Sequence, residues 1–324
     1  MSTHSAAPSA PAGALRTLGP DDASAVADLW NATFGDTHPL RAKAFATWWG
    51  SEHTDADLTF GLSRGGRLVG ALLARAPRRA WSTPGVGHVS LLAVAPEAQG
   101  AGVGAELWRA GVTALRERGV RVVRLGADPG HLLPGVPVLA PAAAWRFFRA
   151  RGLTFGPVEC DLHLDLRPGP PTTPCDARLF DDDPEAVVAF VAHAFPGRWA
   201  EEVAAFAAHG CTLLGLERAG AVVAFAAAFG PDDAISGPSL TWSAALAGRP
   251  AGLGPLGVEV TQRGLGLGLG IVAAGARWHH ARGAEDLLID WTTLAPFYGR
   301  LGARVWRAYQ RSEGVVDAAE LANP

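Results

Sequence analysis

The chain repeats itself, and no other feature limits its possible folds so tightly. Two segments of similar length, 14–166 and 176–324, flank Arg167-Pro-Gly-Pro-Pro-Thr-Thr-Pro-Cys175. That stretch is expected to be a linker, because prolines without N–H donors sustain neither a helix nor a central strand. Asp22-Ala-Ser-Ala-Val-Ala-Asp-Leu29 leads to Phe34, and Asp183-Pro-Glu-Ala-Val-Val-Ala-Phe190 leads to Phe195. Each sets an acidic residue before an apolar helical pattern, as an N-cap should be. Leu58 to Leu73 then reads as two strands around Arg64-Gly65-Gly66-Arg67, and Cys211 to Ala226 as two strands around Arg218-Ala219-Gly220. Next, in each half, come a short apolar strand, a glycine cluster and a long helix. The clusters are Gln99-Gly-Ala-Gly-Val-Gly104 and Arg263-Gly-Leu-Gly-Leu-Gly268. A strand follows (Arg121 to Gly126, Glu285 to Asp290), then a short helix with Phe147-Phe148 or Phe297-Tyr298, then closing strands. The expected fold class is mixed α/β, a mostly antiparallel central sheet flanked by helices, made twice.

A glycine-rich turn between a strand and a helix N-terminus suits a phosphate. The bare backbone approaches closely, its N–H groups point outward and the helix dipole adds positive potential. The phosphate loop of nucleoside triphosphatases needs a Gly-Lys-Ser/Thr ending, and the one lysine, Lys43, is far from both clusters. The dinucleotide fingerprint is formally met by Gly100, Gly102 and Ala105, but it belongs in the first βα unit of a parallel sheet, and Leu269 breaks it in the second cluster. The pattern common to both halves is Gln/Arg-x-x-Gly-x-Gly.

With that pattern in place, the chain resembles the GNAT superfamily of acyl-CoA-dependent N-acyltransferases, and in its duplication the bacterial tandem GNAT proteins. Ala93-Val-Ala-Pro-Glu-Ala-Gln-Gly-Ala-Gly-Val-Gly104 reads like the family's pyrophosphate loop, and Gly257-Val-Glu-Val-Thr-Gln-Arg-Gly-Leu-Gly-Leu-Gly268 like a second copy in which Val260 replaces the usual proline. The resemblance implies acetyl-CoA, or another acyl-CoA, as co-substrate and no metal. Its pyrophosphate would lie on Gln99, Gly100, Ala101, Gly102, Val103 and Gly104, and on Arg263, Gly264, Leu265, Gly266, Leu267 and Gly268. Its pantetheine would pair with Leu92, Ala93 and Val94, and with Leu256, Gly257 and Val258.

The halves then differ. Transfer of an acyl group to an amine needs a group to take the amine's proton, stabilisation of the oxyanion and a proton for the departing thiolate. In the family that last proton commonly comes from a tyrosine in a Phe-Tyr-x-x-x-Gly-Phe pattern. Phe297-Tyr298-Gly-Arg-Leu-Gly302-Ala303 supplies it, whereas Phe147-Phe148-Arg-Ala-Arg-Gly152-Leu153 has Phe148 in its place. Tyr298 is therefore the expected acid and the C-terminal half the working transferase. Asp290 or Glu259 is the expected base. Phe195-Pro-Gly-Arg-Trp199 and Trp291 are expected around the acceptor, a small-molecule amine. The first half also carries an insertion, His131-Leu-Leu-Pro-Gly-Val-Pro137, placed either to close over the cofactor or to reach across to the other half. His279 and His280 fall late in the helix after the second cluster, where the helix C-terminus or solvent is the expected partner.

Composition sets the outer limits. Of 324 residues, 48% are apolar, and no uninterrupted apolar run has the ~20 residues of a membrane span. A formal charge of −3 without an Arg/Lys cluster argues against a nucleic-acid partner. Cys160, Cys175 and Cys211 show no CxxC spacing, which fits a reducing, cytoplasmic setting. Residues 1–13 read as a disordered tail, and a monomer or homodimer is expected. Two other function classes stand beside the transferase: a non-catalytic acyl-CoA-binding or sensing protein, and, on Gly100, Gly102 and Ala105 alone, a nicotinamide-dependent oxidoreductase.

Overall fold

The computed structural model describes residues 13–50 and 54–316. The tail expected over 1–13 therefore lies, apart from Gly13, outside the described residues. The first half runs β1 (Ala14–Thr17), α1 (Ala23–Phe34), α2 (Ala42–Trp49), β2 (Thr59–Arg64), β3 (Arg67–Arg75), β4 (Val86–Val94), α3 (Val103–Glu117), β5 (Val122–Leu125), β6 (Val136–Pro137), α4 (Ala142–Arg149) and β7 (Thr154–Asp165). The second runs β8 (Arg178–Phe180), α5 (Pro184–Ala194), α6 (Arg198–Ala208), β9 (Thr212–Arg218), β10 (Ala221–Phe229), β11 (Pro250–Val258), α7 (Leu267–His280), β12 (Asp286–Thr292), α8 (Ala295–Gly299) and β13 (Arg304–Val315). The mixed α/β class and the mostly antiparallel sheet are those expected. Between the halves, 167–175 carries no helix or strand.

The caps show how local chemistry sets these elements. Asp183 caps α5, accepting from the amide of Ala186 at 2.9 Å with Pro184 in the first turn. Asp22 does not cap α1; its carboxylate accepts from the Gly19 amide and pairs with Arg16. Strands β3 and β10 are buried at every residue from Val69 to Arg75 and from Val223 to Phe229. Alternating side chains point to opposite faces, so both faces of the sheet are covered there, by helices including α1 and α3 on β3, and α5 and α7 on β10.

All the strands form one sheet, in the order β1-β2-β3-β4-β5-β13-β7-β12-β11-β10-β9-β8, with β6 paired to β13. The two closing strands are exchanged. β13, the end of the second half, pairs with β5 of the first, and β7, the end of the first, pairs with β12 of the second. They meet in the centre over the longest ladder of the molecule, from Arg304↔His163 to Glu313↔Thr154. The cores follow the exchange: Tyr309 and Trp242 are buried with the first half's core, and Leu162, Leu164 and Leu166 with the second's.

The parallel pairs β4/β5 and β11/β12 are the other shared feature. The first holds from Val86↔Val122 to Val89↔Leu125 and the second from Pro250↔Asp286 to Gly252↔Leu288. Beyond those points β4 and β11 continue, paired only with β3 and β10. Each half therefore opens a wedge in its sheet that leads to its glycine cluster.

Candidate active site

The glycine clusters have the same backbone. Gly100 and Gly102, like Gly264 and Gly266, have φ between 74° and 81°, a region open to glycine at little cost. Gly102 and Gly266 sit at the N-caps of α3 and α7, and neither helix start is capped by a side chain. The first-turn amides thus face outward, ready for an anion. Gln99 donates to the carbonyl of Val94 and Arg263 to that of Val258, the same tie across the same turn. A Cβ at Gly264 would meet nothing within 4 Å, so the loop borders open space. Both turns therefore present backbone amides of the kind that suits an anion.

Past the end of β12 lies a cleft of about 310 Å³, lined by Leu253 to Leu256 of β11, by Asp290, Trp291 and Thr292, and by Tyr298. Its far wall is α6, with Arg198, Trp199 and Glu202. The structure thus brings Tyr298, Asp290 and Leu256 into one cavity. Glu259 is elsewhere: it caps the short turn before the cluster, accepting from the amide and hydroxyl of Thr261, and these bonds hold its carboxyl below the usual range. Phe195 packs against Gly257 and Phe225 beneath the strands, so of the expected aromatic walls it is Trp199 and Trp291 that face the cleft.

Tyr298 is buried, and burial together with the charge of Asp290 pushes its hydroxyl up to about 12. It keeps its proton throughout the neutral range. The pairing of β12 with β7 slips between Ile289 and Thr292, so Asp290 and Trp291 form a bulge. Trp291 has φ of 45°, rare outside glycine, and its counterpart Ala127 has 56°. The strained turn is fixed from below by β7. Asp161 accepts from the Trp291 amide at 3.1 Å, and Glu159 accepts from the Trp291 indole. Asp161 also accepts from Tyr309 at 2.7 Å, and burial plus the nearby Asp290 push it up to about 6.

The insertion reaches across. His131 Nε2 lies 3.1 Å from Asp290 Oδ2, both side chains being largely buried, and its ring meets the Trp291 ring at 4.4 Å between centroids. The amide of Gly130 bonds Glu202, whose carboxyl burial raises. Four functional groups of this cleft escaped sequence reasoning. Glu159 and Asp161 belong to the exchanged strand, Glu202 lies on an ordinary amphipathic helix, and His131 was assigned to the half without the tyrosine. Only His131 carried a signal, the insertion itself. His279, expected at a helix end or in solvent, is buried against β11 with Nε2 3.1 Å from the Gly252 carbonyl oxygen, and burial lowers it to about 4.

In the first half the matching place is filled. Leu132 and Leu133 are buried in the core, and the Leu133 carbonyl accepts from the Ala127 amide at 2.8 Å. A Cβ at Gly126, the counterpart of Asp290, would collide with that carbonyl. Phe148, the counterpart of Tyr298, packs with Phe147 and Trp108.

A family model described as "Acetyltransferase (GNAT) family" matches residues 23–133. The fold likeness extends over both halves. A tandem GNAT protein from the clavulanic acid biosynthesis pathway superposes with a TM-score of 0.67 at 18% identity, covering 94% of this chain and 99% of that one. The chain is a tandem GNAT-fold protein. A GCN5-related N-acetyltransferase from Sphaerobacter thermophilus gives 0.69 at 17% identity, over 94% and 96% of the two chains. A glucosamine N-acetyltransferase region of a fungal multi-domain β-N-acetylglucosaminidase gives 0.79 at 24%, over 94% of this chain and 38% of that one. In sequence, 73 residues are 37% identical to the mycothiol acetyltransferase of Pseudarthrobacter chlorophenolicus, or 22% of this tandem GNAT chain and 23% of that relative. The match thus spans under a quarter of the curated relative's length.

Proposed function

We propose that this tandem GNAT protein is an acyl-CoA-dependent N-acyltransferase whose reaction centre is the C-terminal cleft, acting on the amine of a small molecule. One observation carries this reading: one cavity holds Tyr298, Asp290 and the Leu253–Leu256 end of the wedge between β11 and β12, and the same strand runs on to an uncapped glycine-rich helix start. Arg263 to Gly268 would hold the pyrophosphate, and the unpaired edge from Leu256 to Val258 the pantetheine. Acyl-CoA supplies a thioester as the activated acyl donor. Tyr298, neutral and buried, holds the proton needed by the leaving sulfur. Asp290 takes the acceptor's proton, and the N–H of His131 steadies its carboxylate and fixes its orientation. Glu259, bound up in its turn, is the weaker of the two candidate bases.

Glu159, Glu202 and Asp290 around the cleft favour a cationic acceptor, with Trp199 and Trp291 as flat walls. The fungal glucosamine N-acetyltransferase region and the mycothiol acetyltransferase among its relatives make an amino sugar the first acceptor class to try. The N-terminal half keeps its phosphate cradle but has a filled cleft and Phe148 in place of the acid, which supports a non-catalytic role for it. Thiol release from acetyl-CoA across a panel of amino sugars and small amines tests the reading. Amine-dependent release that falls roughly a hundredfold in Asp290→Asn is expected. Release by no amine, or an unaffected variant, refutes it.

A further inference from the structure

A second cavity, of about 140 Å³, lies on the N-terminal half where the loop 76–85 meets α6, and it is lined by basic groups. Its floor is a row across three neighbouring strands. Arg75 of β3 stands opposite His88 of β4, and His88 opposite Arg124 of β5. Directly opposed residues share a face of the sheet, so the three side chains lie together. Arg78 and Arg79 from the loop and Arg198 from α6 complete the lining, which includes no carboxylate.

The repeat shows that this row is a departure. The parallel ladders begin at Val86↔Val122 and at Pro250↔Asp286, so His88 corresponds to Gly252 and Arg124 to Leu288. The residue paired with Gly252 is Phe229, the counterpart of Arg75. One half therefore has Arg, His and Arg where the other has Phe, Gly and Leu. In the C-terminal half the row is closed over by the longer loop 230–249, with Ser239 and Leu240 packed on Gly252. In the N-terminal half the shorter loop leaves it open.

Each arginine also has a carboxylate outside the cavity. Arg75 pairs with Asp128, Arg78 with Asp55, Arg79 with Glu201, Arg124 with Glu313 and Arg198 with Glu202, at 2.9 to 3.6 Å. Arg75 also donates to the carbonyls of Trp48 and Pro129 and to the hydroxyl of Thr54, so it serves as a charged floor. A guanidinium has five N–H donors and a carboxylate engages two at most, so Arg78, Arg124 and Arg198 keep donors for a second anion. The carboxylates also hold the guanidinium groups in place before any ligand arrives. At about 140 Å³ the space is well below the roughly 300 Å³ at which whole-ligand pockets begin, so a single group fits and a complete cofactor does not.

We infer that this cavity is a phosphate-binding site, for the free ion or for the phosphate group of a small molecule. The reading stands independently of the acyl transfer proposed above. Arg198 also lines the catalytic cleft, so the two cavities share a wall. Calorimetric titration of the full chain with inorganic phosphate and with phenyl phosphate, at fixed ionic strength set by sodium chloride, tests it. Saturable binding of at least one is expected, weakened about tenfold by Arg79→Gln, since each lost charged hydrogen bond is worth roughly a factor of ten. Arg124→Gln should act alike, and Arg218→Gln, which lies outside the cavity, should not. Tighter phenyl phosphate identifies a group on a larger molecule, and tighter inorganic phosphate the free ion. Absence of saturable binding, or equal binding by Arg79→Gln and Arg124→Gln with their thermal unfolding unchanged, overturns the site.

Discussion

The two halves share a strand order, a sheet wedge and a glycine-rich helix start, yet they use the space beyond the wedge in opposite ways. In the C-terminal half it holds Asp290, Trp291 and Tyr298 around a cleft. In the N-terminal half Leu132 and Leu133 fill it, and the segment that fills it goes on to lend His131 to the other half. The duplicated fold thus has two alike glycine-rich helix starts, while one copy fills the space beyond its wedge. Around that space the copies differ in the insertion at 131–137, in Gly126 against Asp290 and in Phe148 against Tyr298.

The exchange of closing strands gives the largest expected effect. Expressed alone, residues 1–166 would lack β13, leaving β5 paired with β4 alone and β7 without either of its neighbours. Such a fragment should show no cooperative unfolding transition, whereas the full chain should. A fragment that melts cooperatively would mean that the halves are self-sufficient after all.

Next comes the aromatic difference. Tyr298→Phe should lower kcat by roughly a hundredfold, the scale of a lost general acid. The reciprocal Phe148→Tyr should leave turnover unchanged, because Phe148 packs against Phe147 and Trp108 and lines no cavity. A gain of activity in that variant would show that the N-terminal half lacks only its acid. His131→Gln breaks the comparison from the other side: a residue of the N-terminal half should affect the proposed reaction in the C-terminal one. Losing its bond to a charged carboxylate should reduce kcat about ten- to a hundredfold and alter the pH profile, while acetyl-CoA binding stays the same. An unchanged kcat would reduce the insertion to packing.

A last effect, on stability and not on turnover, concerns Asp161, on the exchanged strand. Its carboxyl titrates at about 6 in the fold, above its ordinary 3.8. Folding therefore favours the protonated form, and the stability it contributes is complete below about pH 4 and lost as pH rises to 6 and beyond. A shift of this size amounts to about 3 kcal/mol. Urea unfolding of Asp161→Asn should show a shallower decline between pH 4.5 and 7 than the natural chain. Identical slopes would mean that the buried carboxylate is better solvated than its surroundings imply.

Much of this was legible in the residues. Glycine clusters after short apolar strands marked both cradles, because a backbone with φ near 80° and no Cβ is a local property. Tyr298 was legible through the repeat, which set it beside Phe148, and Asp290 through its place at the end of the strand Glu285 to Asp290. Glu259 stood level with Asp290 because a carboxylate near a glycine-rich loop looks the same in sequence whether it faces substrate or caps a turn. His131, Glu159, Asp161 and Glu202 could not be placed, since they meet Asp290, Trp291 or Gly130 across more than 60 residues of chain.

By itself, then, the sequence determined what is local: two copies, their order of elements, the phosphate turns and the lone acid candidate. Spacing and side-chain type dictate those features through hydrogen bonds made within a few residues. Only the tertiary structure decided which half keeps a cavity, that the closing strands change places, and that a histidine of one copy steadies the carboxylate of the other. Those outcomes depend on long-range strand pairing, where competing registers differ by packing across the whole sheet and no short segment records the choice.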